Sequence, residues 1–161
     1  MRRSRVPVVG ALCALMIVVV AGGASADPNP RSGRIPVTAP PDEVVTGICP
    51  FPVLVETVVN NEFSKTLPDG TVLVSGRLVV RVTNTVTGES KVYNVSGPAK
   101  ITTNGAIETD VFLGPGLGID PSIGMIVTSG RVVVTVNTET GELRIVSQRG
   151  HVEDVCATLA A

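Results

Sequence analysis

Aromatic side chains are nearly missing from this chain of 161 residues, which has no tryptophan, one tyrosine (Tyr93) and three phenylalanines (Phe51, Phe63 and Phe112). Flat rings are the usual platforms for saccharides and for stacked bases, so carbohydrate binding and single-strand nucleic-acid binding both lose their main surface. Histidine is confined to His151. With no G-x-S-x-G turn there is no nucleophile elbow, and with one histidine there is no histidine pair for zinc. Basic charge is not in excess either, since 13 Lys and Arg face 14 Asp and Glu. A protein that grips nucleic acid through its phosphates needs a basic surface, so no nucleic-acid partner is expected. Low glycine periodicity, no heptads and three cysteines exclude collagen, a coiled coil and a disulfide-dense miniprotein.

What is present begins with an export signature. Arg2, Arg3 and Arg5 precede an apolar run over residues 6–20, and Ala24-Ser25-Ala26 supplies the small residues of a cleavage site. Cleavage is expected between Ala26 and Asp27. A retained anchor is the competing reading, but the run is short for a bilayer core of about 30 Å and Gly22 and Gly23 follow it. The residues after Arg2-Arg3 do not continue as a twin-arginine signal, and Leu12 before Cys13 does not suit a lipidated cysteine. The general secretory route is therefore expected, to the medium or the cell envelope, with no stable transmembrane anchor after processing. The mature chain of 135 residues carries 10 basic against 14 acidic side chains, a net charge of −4.

Cleavage leaves two cysteines, Cys49 and Cys156. An even pair in an oxidising compartment most simply forms one disulfide; two free thiols in a reactive or metal site is the alternative, without a C-x-x-C spacing to favour it.

Three segments follow: a signal peptide at residues 1–26, a flexible segment at 27–47, and a β domain at 48–161. The second holds Pro28, Pro30, Pro36, Pro40 and Pro41 among polar residues and shows no apolar period, which reads as an extended spacer or a partner-binding tail. After Cys49, Val, Ile and Thr alternate with polar residues, the period of half-buried strands. Strands are expected near residues 51–59, 62–67, 70–83, 89–96, 99–103, 106–113, 123–137 and 142–148. Pro68-Asp69-Gly70, Thr87-Gly88, Asn104-Gly105 and Thr140-Gly141 separate them with turn residues, Asn104-Gly105 being the strongest hairpin signal. Near the end Val152, Val155, Cys156 and Leu159 share one face of a short helix, with Glu153 and Asp154 suited to its first turn.

An internal repeat is the most informative pattern. Residues 70–89 align with 124–142 across one gap at Thr83, and 12 of 19 pairs are identical. Both copies hold Ser-Gly-Arg (residues 75–77 and 129–131) and an Asn-Thr-x-Thr-Gly-Glu turn (84–89 and 137–142). One face of each copy is apolar: Val72, Val74, Gly76, Leu78, Val80 and Val82 in the first, Ile126, Thr128, Gly130, Val132, Val134 and Val136 in the second. A mid-strand glycine at the same place in two long strands suggests a bend that curls the sheet, and the extra Thr83 has the form of a β-bulge. The expected fold is all-β, a small antiparallel barrel of about eight strands with a short C-terminal helix plugging one end and a disulfide joining its two ends. A β-sandwich is the second choice.

Cys49-Pro50-Phe51-Pro52-Val53, Pro68-Asp69-Gly70, Asn94-Val95-Ser96-Gly97-Pro98, Gly114-Pro115-Gly116, Ser129-Gly130-Arg131 and Asp154-Val155-Cys156 with its small Ala/Leu tail resemble a β-rich family of exported proteins from high-GC Gram-positive bacteria. The resemblance covers most of residues 49–161 and implies export, but no activity.

Chemistry-bearing residues are few. His151 beside Glu153 and Asp154 reads as a solvated surface group. Leu113-Gly114-Pro115-Gly116-Leu117-Gly118 looks like a phosphate loop but lacks the following helix, so a flexible crossover at the barrel mouth is expected. Glu108 and Asp110 share a strand face as a calcium or acid–base pair would, yet two carboxylates fall short of calcium's six to eight oxygens, and a solvated face is expected. Asn94-Val95-Ser96 is a glycosylation sequon only where the source glycosylates its exports. No catalytic, cofactor or metal residue is assigned. The leading expectation is a non-enzymatic binding or envelope-associated module; the alternative is a lipocalin-like or isomerase-like barrel acting on a small apolar ligand, and an inert structural or adhesive surface protein is the third. An apolar void above about 300 Å³ with an inward polar group would favour the ligand, and a filled interior would remove it.

Overall fold

Where Val, Ile and Thr alternate with polar residues the chain forms extended strands, and every hydrogen-bonded pair among them is antiparallel. The computed structural model describes residues 33–120 and 122–160, so Cys13, the arginines ahead of it and the Ala26/Asp27 junction lie outside the described residues. The strands are β1 (Ile35–Pro36), β2 (Glu43–Val45), β3 (Val53–Thr66), β4 (Val72–Asn84), β5 (Ser90–Asn94), β6 (Ala99–Asn104), β7 (Ile107–Asp120), β8 (Gly124–Asn137) and β9 (Leu143–Asp154), followed by one helical turn, α1 (Val155–Thr158). They build one sheet in the order β1-β3-β4-β6-β7-β8-β9, with β2 also on β3 and β5 also on β4. Among the described residues the fold is all-β, with nine strands.

Two strands expected as separate, near 51–59 and 62–67, are one strand, β3, continuous through an extra residue at Val58. Thr83 is not a bulge: it pairs regularly with Leu54 and Ser90. The irregularities instead fall on the partners of the repeated strands, at Val58 opposite β4 and Val146 opposite β8, and both side chains are exposed. Residues 114–118 are not a mouth loop. They continue β7 and pair along β8 from Gly114↔Gly130 to Gly118↔Ile126. Pro115 is tolerated there because β6 pairs with β7 only as far as Phe112, so its missing N–H removes no ladder bond on that side.

Part of the proline-rich lead is ordered as well. Ile35 and Pro36 pair with Ser64 and Phe63, and Glu43 to Val45 pair with Val55 to Val53. Proline is compatible with such an edge, where one side of the strand needs no donor.

The two repeated segments fold alike. Asn84 and Asn137 each accept from the backbone two and three residues on, at Val86 and Thr87 or at Glu139 and Thr140. Thr87 and Thr140 then accept from Glu89 and Glu142. Thr85 and Thr138 tie each turn to the start of the neighbouring strand, at the carbonyls of Pro52 and Ala106. Mid-strand, Gly76 and Gly130 have φ of 141° and 137°. A Cβ on Gly130 would overlap the Arg149 carbonyl oxygen and stand 2.9 Å from the Cα of Gly150. Side-chain-free backbone at these points lets the strands bend together.

Bending brings the sheet's ends together, but no ladder closes it among the described residues. The closed barrel expected from the sequence is thus a curled open sheet, fastened by side chains. Cys49 and Cys156 form a disulfide with their Cα atoms 5.3 Å apart. Lys91 and Tyr93 on β5 both donate to Glu153 Oε1 on β9, at 2.8 and 2.7 Å, and Thr158 donates to the same oxygen at 3.0 Å. Asn84, 2% exposed, donates to the Leu159 carbonyl at 3.0 Å. The helix begins later than the sequence suggests, because Val152 and Glu153 still pair in β9. Asp154 is its N-cap, accepting from the Ala157 amide at 2.9 Å.

Glu153 is the hub of this seam. Removing it leaves the buried Tyr93 hydroxyl without its acceptor, whereas removing Lys91 leaves two donors in place. Glu153→Ala is expected to cost about 2 kcal/mol and Lys91→Ala less than about 1 kcal/mol. Equal shifts of the urea midpoint for the two variants would contradict that ordering.

Candidate functional site

The interior is filled at one end and hollow at the other. At the filled end Val53, Val82, Met125, Val155 and Leu159 pack around the disulfide, so α1 plugs that end as the apolar spacing suggests. Beyond Val55, Leu78, Val80 and Val95, which belong to both regions, lies a cavity of about 230 Å³. That is smaller than the roughly 300 Å³ at which drug-sized pockets begin. It exceeds the roughly 150 Å³ of an engineered apolar cavity that holds benzene. The interior is neither solid nor large.

Successive rows across the sheet build its wall. Ala99 pairs with Phe112 and Phe112 with Val132; two residues along, Ile101 pairs with Asp110, Asp110 with Val134, and Val134 with Ile145. The next row sets Glu108 beside Val136, and Val136 beside Leu143. Because side chains alternate along a strand, Phe112, Asp110 and Glu108 all face inward. The solvated face expected for Glu108 and Asp110 is therefore a correction: they line the cavity, and the opposite face of β7 carries Ile107 and Leu113, exposed at 42% and 46%. Period two identifies the two faces but not which is buried; the register against the inward valines of β8 decides it.

Asp110 sits mid-row between Ile101 and Val134, and its Oδ1 is buried with no hydrogen-bond partner among the described residues. Desolvation, assisted by the neighbouring Glu108 charge, pushes its carboxyl up to about 6. From β3, Glu62 also lines the cavity; it is 6% exposed, and no hydrogen bond or ion pair reaches its carboxylate among the described residues. Burial raises its pKa too. The sequence does not single out Glu62, which there only opens the strand expected at 62–67, after Asn60 and Asn61.

The other candidates stay apart from this site. His151 is exposed on β9, paired with Ser129. Among the described residues no group of three or more His, Cys, Asp or Glu is placed to hold a metal ion, and no helix is long and apolar enough to cross a membrane. No family model, curated protein or solved structure matches this chain. The site must therefore be read from its own chemistry.

Stability should depend on pH through Asp110. The folded-state pKa of Asp110 lies above its ordinary value of 3.8, so the folded protein holds a proton that the unfolded chain has released. The stabilisation is complete below about pH 4 and is lost as pH rises through about 6. Asp110→Asn is expected to stabilise the protein near pH 7.5 by on the order of 1 kcal/mol, after allowing for solvent screening at a half-buried site, and to have little effect near pH 4. Thermal melts of both proteins at the two pH values check this; a difference independent of pH would count against it.

Proposed function

We propose that this protein is an exported binding module that holds a small, mainly apolar molecule in the curl of its sheet. The single observation that carries the reading is the cavity of about 230 Å³, walled largely by valine, leucine and isoleucine, with Asp110, whose Oδ1 is buried and unpartnered among the described residues, in its wall. Native proteins pair nearly all their buried polar atoms, so an orphan acceptor inside an apolar hollow suits a ligand that brings its own donor. Export follows from the signal at residues 1–26, with cleavage after Ala26 and release to the medium or envelope, and the disulfide is compatible with it. The shared turn bonding of residues 84–89 and 137–142 supports descent of the two hairpins from one duplicated unit. Membership in the β-rich exported family of high-GC Gram-positive bacteria belongs to the same proposal.

Native mass spectrometry of protein taken from its own culture medium tests it. The expected species begins at Asp27, holds one disulfide and carries extra mass that unfolding releases. A bare chain that also takes up no apolar probe would remove the ligand, leaving a docking or structural module. A second reading, isomerisation of the held molecule by proton transfer, is favoured by Asp110, whose carboxyl near pH 6 suits acid–base work. Incubation in heavy water should then place deuterium in the released molecule, and Asp110→Asn should abolish that labelling even when the molecule is supplied at saturating concentration.

A further inference from the structure

The charge of the cavity wall narrows the ligand class. Among the described residues every charged side chain that lines it is acidic: Glu43, Glu62, Glu108 and Asp110, on three different strands. No lysine, arginine or histidine is among the described lining residues. Two of the four stand out for want of partners. Glu62 is more than nine-tenths buried with no hydrogen bond to its carboxylate among the described residues, and Asp110 Oδ1 is buried and unpaired. Elsewhere several acidic groups are matched: Glu153 gathers three donors, Glu142 holds Arg144, and Glu56 faces Arg81. Inside the cavity no described residue satisfies these acceptors.

We infer that the ligand is a compact apolar amine, its nitrogen donating to Glu62 and Asp110 and its hydrocarbon body lying against Phe112, Val132, Val134 and Ile145. This rests on the reading of the cavity as a binding site and deepens it. An ionised carboxylate is acceptor-only, so it discriminates for N–H donors and against another anion. Charge-assisted bonds in a low-dielectric site are also the strong ones. Carboxylate, phosphate and sulfate ligands would meet four acidic side chains and no base among the described lining residues. The volume limits the body: benzene occupies a cavity of about 150 Å³, so the hollow suits a single ring with a short side chain.

Three probes of closely similar shape test the inference by calorimetry at neutral pH: 2-phenylethylamine, its neutral isostere propylbenzene, and phenylacetate. The amine is expected to bind about tenfold or more tightly than propylbenzene, with no measurable binding of phenylacetate. In Glu62→Gln/Asp110→Asn the amine should lose that advantage while propylbenzene affinity stays within about twofold, since the apolar wall is untouched. Each single variant, checked for a native melt, serves if the double variant fails to fold. Propylbenzene binding as tightly as the amine overturns the amine assignment and leaves the apolar site standing. An amine preference that survives in the folded variants overturns the role of the two carboxylates. If none of the probes binds at millimolar concentration, both the inference and the binding site are wrong.

Discussion

Gly130→Ala is expected to destabilise the protein severely, at a cost above about 3 kcal/mol out of the roughly 5–15 kcal/mol that holds a domain of this size together. Two penalties combine. The backbone at φ 137° is one that L side chains rarely adopt, and the new methyl would be driven into the Arg149 carbonyl and the Gly150 Cα on the adjacent strand. Neither obstacle is the end of a flexible side chain; both are ladder backbone, which yields only if β8 and β9 separate. Gly76→Ala should behave alike, because its Cβ would meet the backbone of Asn61 and Glu62. Gly141→Ala is the control. At φ 72° in an open turn, with nothing within 4 Å of the added atom, it should cost only about 1 kcal/mol of conformational strain. Urea unfolding of the three variants reads the difference, and a Gly130→Ala midpoint close to that of Gly141→Ala would falsify the account of the bend.

Breaking the disulfide is expected to be the other large effect. The bridge joins residues 107 apart in sequence, for which chain-entropy estimates give about 4–5 kcal/mol. It is also the covalent fastener of a sheet whose ladder is open, so its loss frees α1, with the buried Val155 and Leu159, from the Ile48 to Val53 end. Cys49→Ser/Cys156→Ser should lower stability by roughly 3–5 kcal/mol, and amides of α1 and the end of β9 should lose hydrogen-exchange protection before those of β7 and β8. A variant within about 1 kcal/mol of the parent, or uniform loss of protection, would show that the side-chain seam around Glu153 is enough by itself.

Much of this architecture is legible in the chain, and the reasons are local. The Asn-Thr-x-Thr-Gly-Glu turns are legible because asparagine and glycine make their bonds within six residues, whatever surrounds them. Gly76 and Gly130 announce a bend because nothing but close backbone approach explains a glycine inside two valine-rich strands. The pairing of Cys49 with Cys156 is legible because Cys13 falls in the expected signal segment, which leaves two cysteines for the β domain. Strand ends were less legible: residues 114–118 carry every mark of a loop, yet a strand that has lost one neighbour tolerates both Pro115 and its glycines.

Composition and spacing alone therefore determine that the chain is all-β, curled at two glycines and tied at its ends, since each of these depends on a residue and its near neighbours. The candidate site is a different matter. Period two is unchanged when a strand turns over, and in β7 the carboxylate face looked the wetter one. Only pairing with β6 and β8 turned Glu108 and Asp110 inward, and only the curl of the sheet brought Glu62, 46 and 48 positions away in sequence, to the same hollow. Charge becomes costly when a whole sheet removes the water around it, and that is a property of the assembled fold.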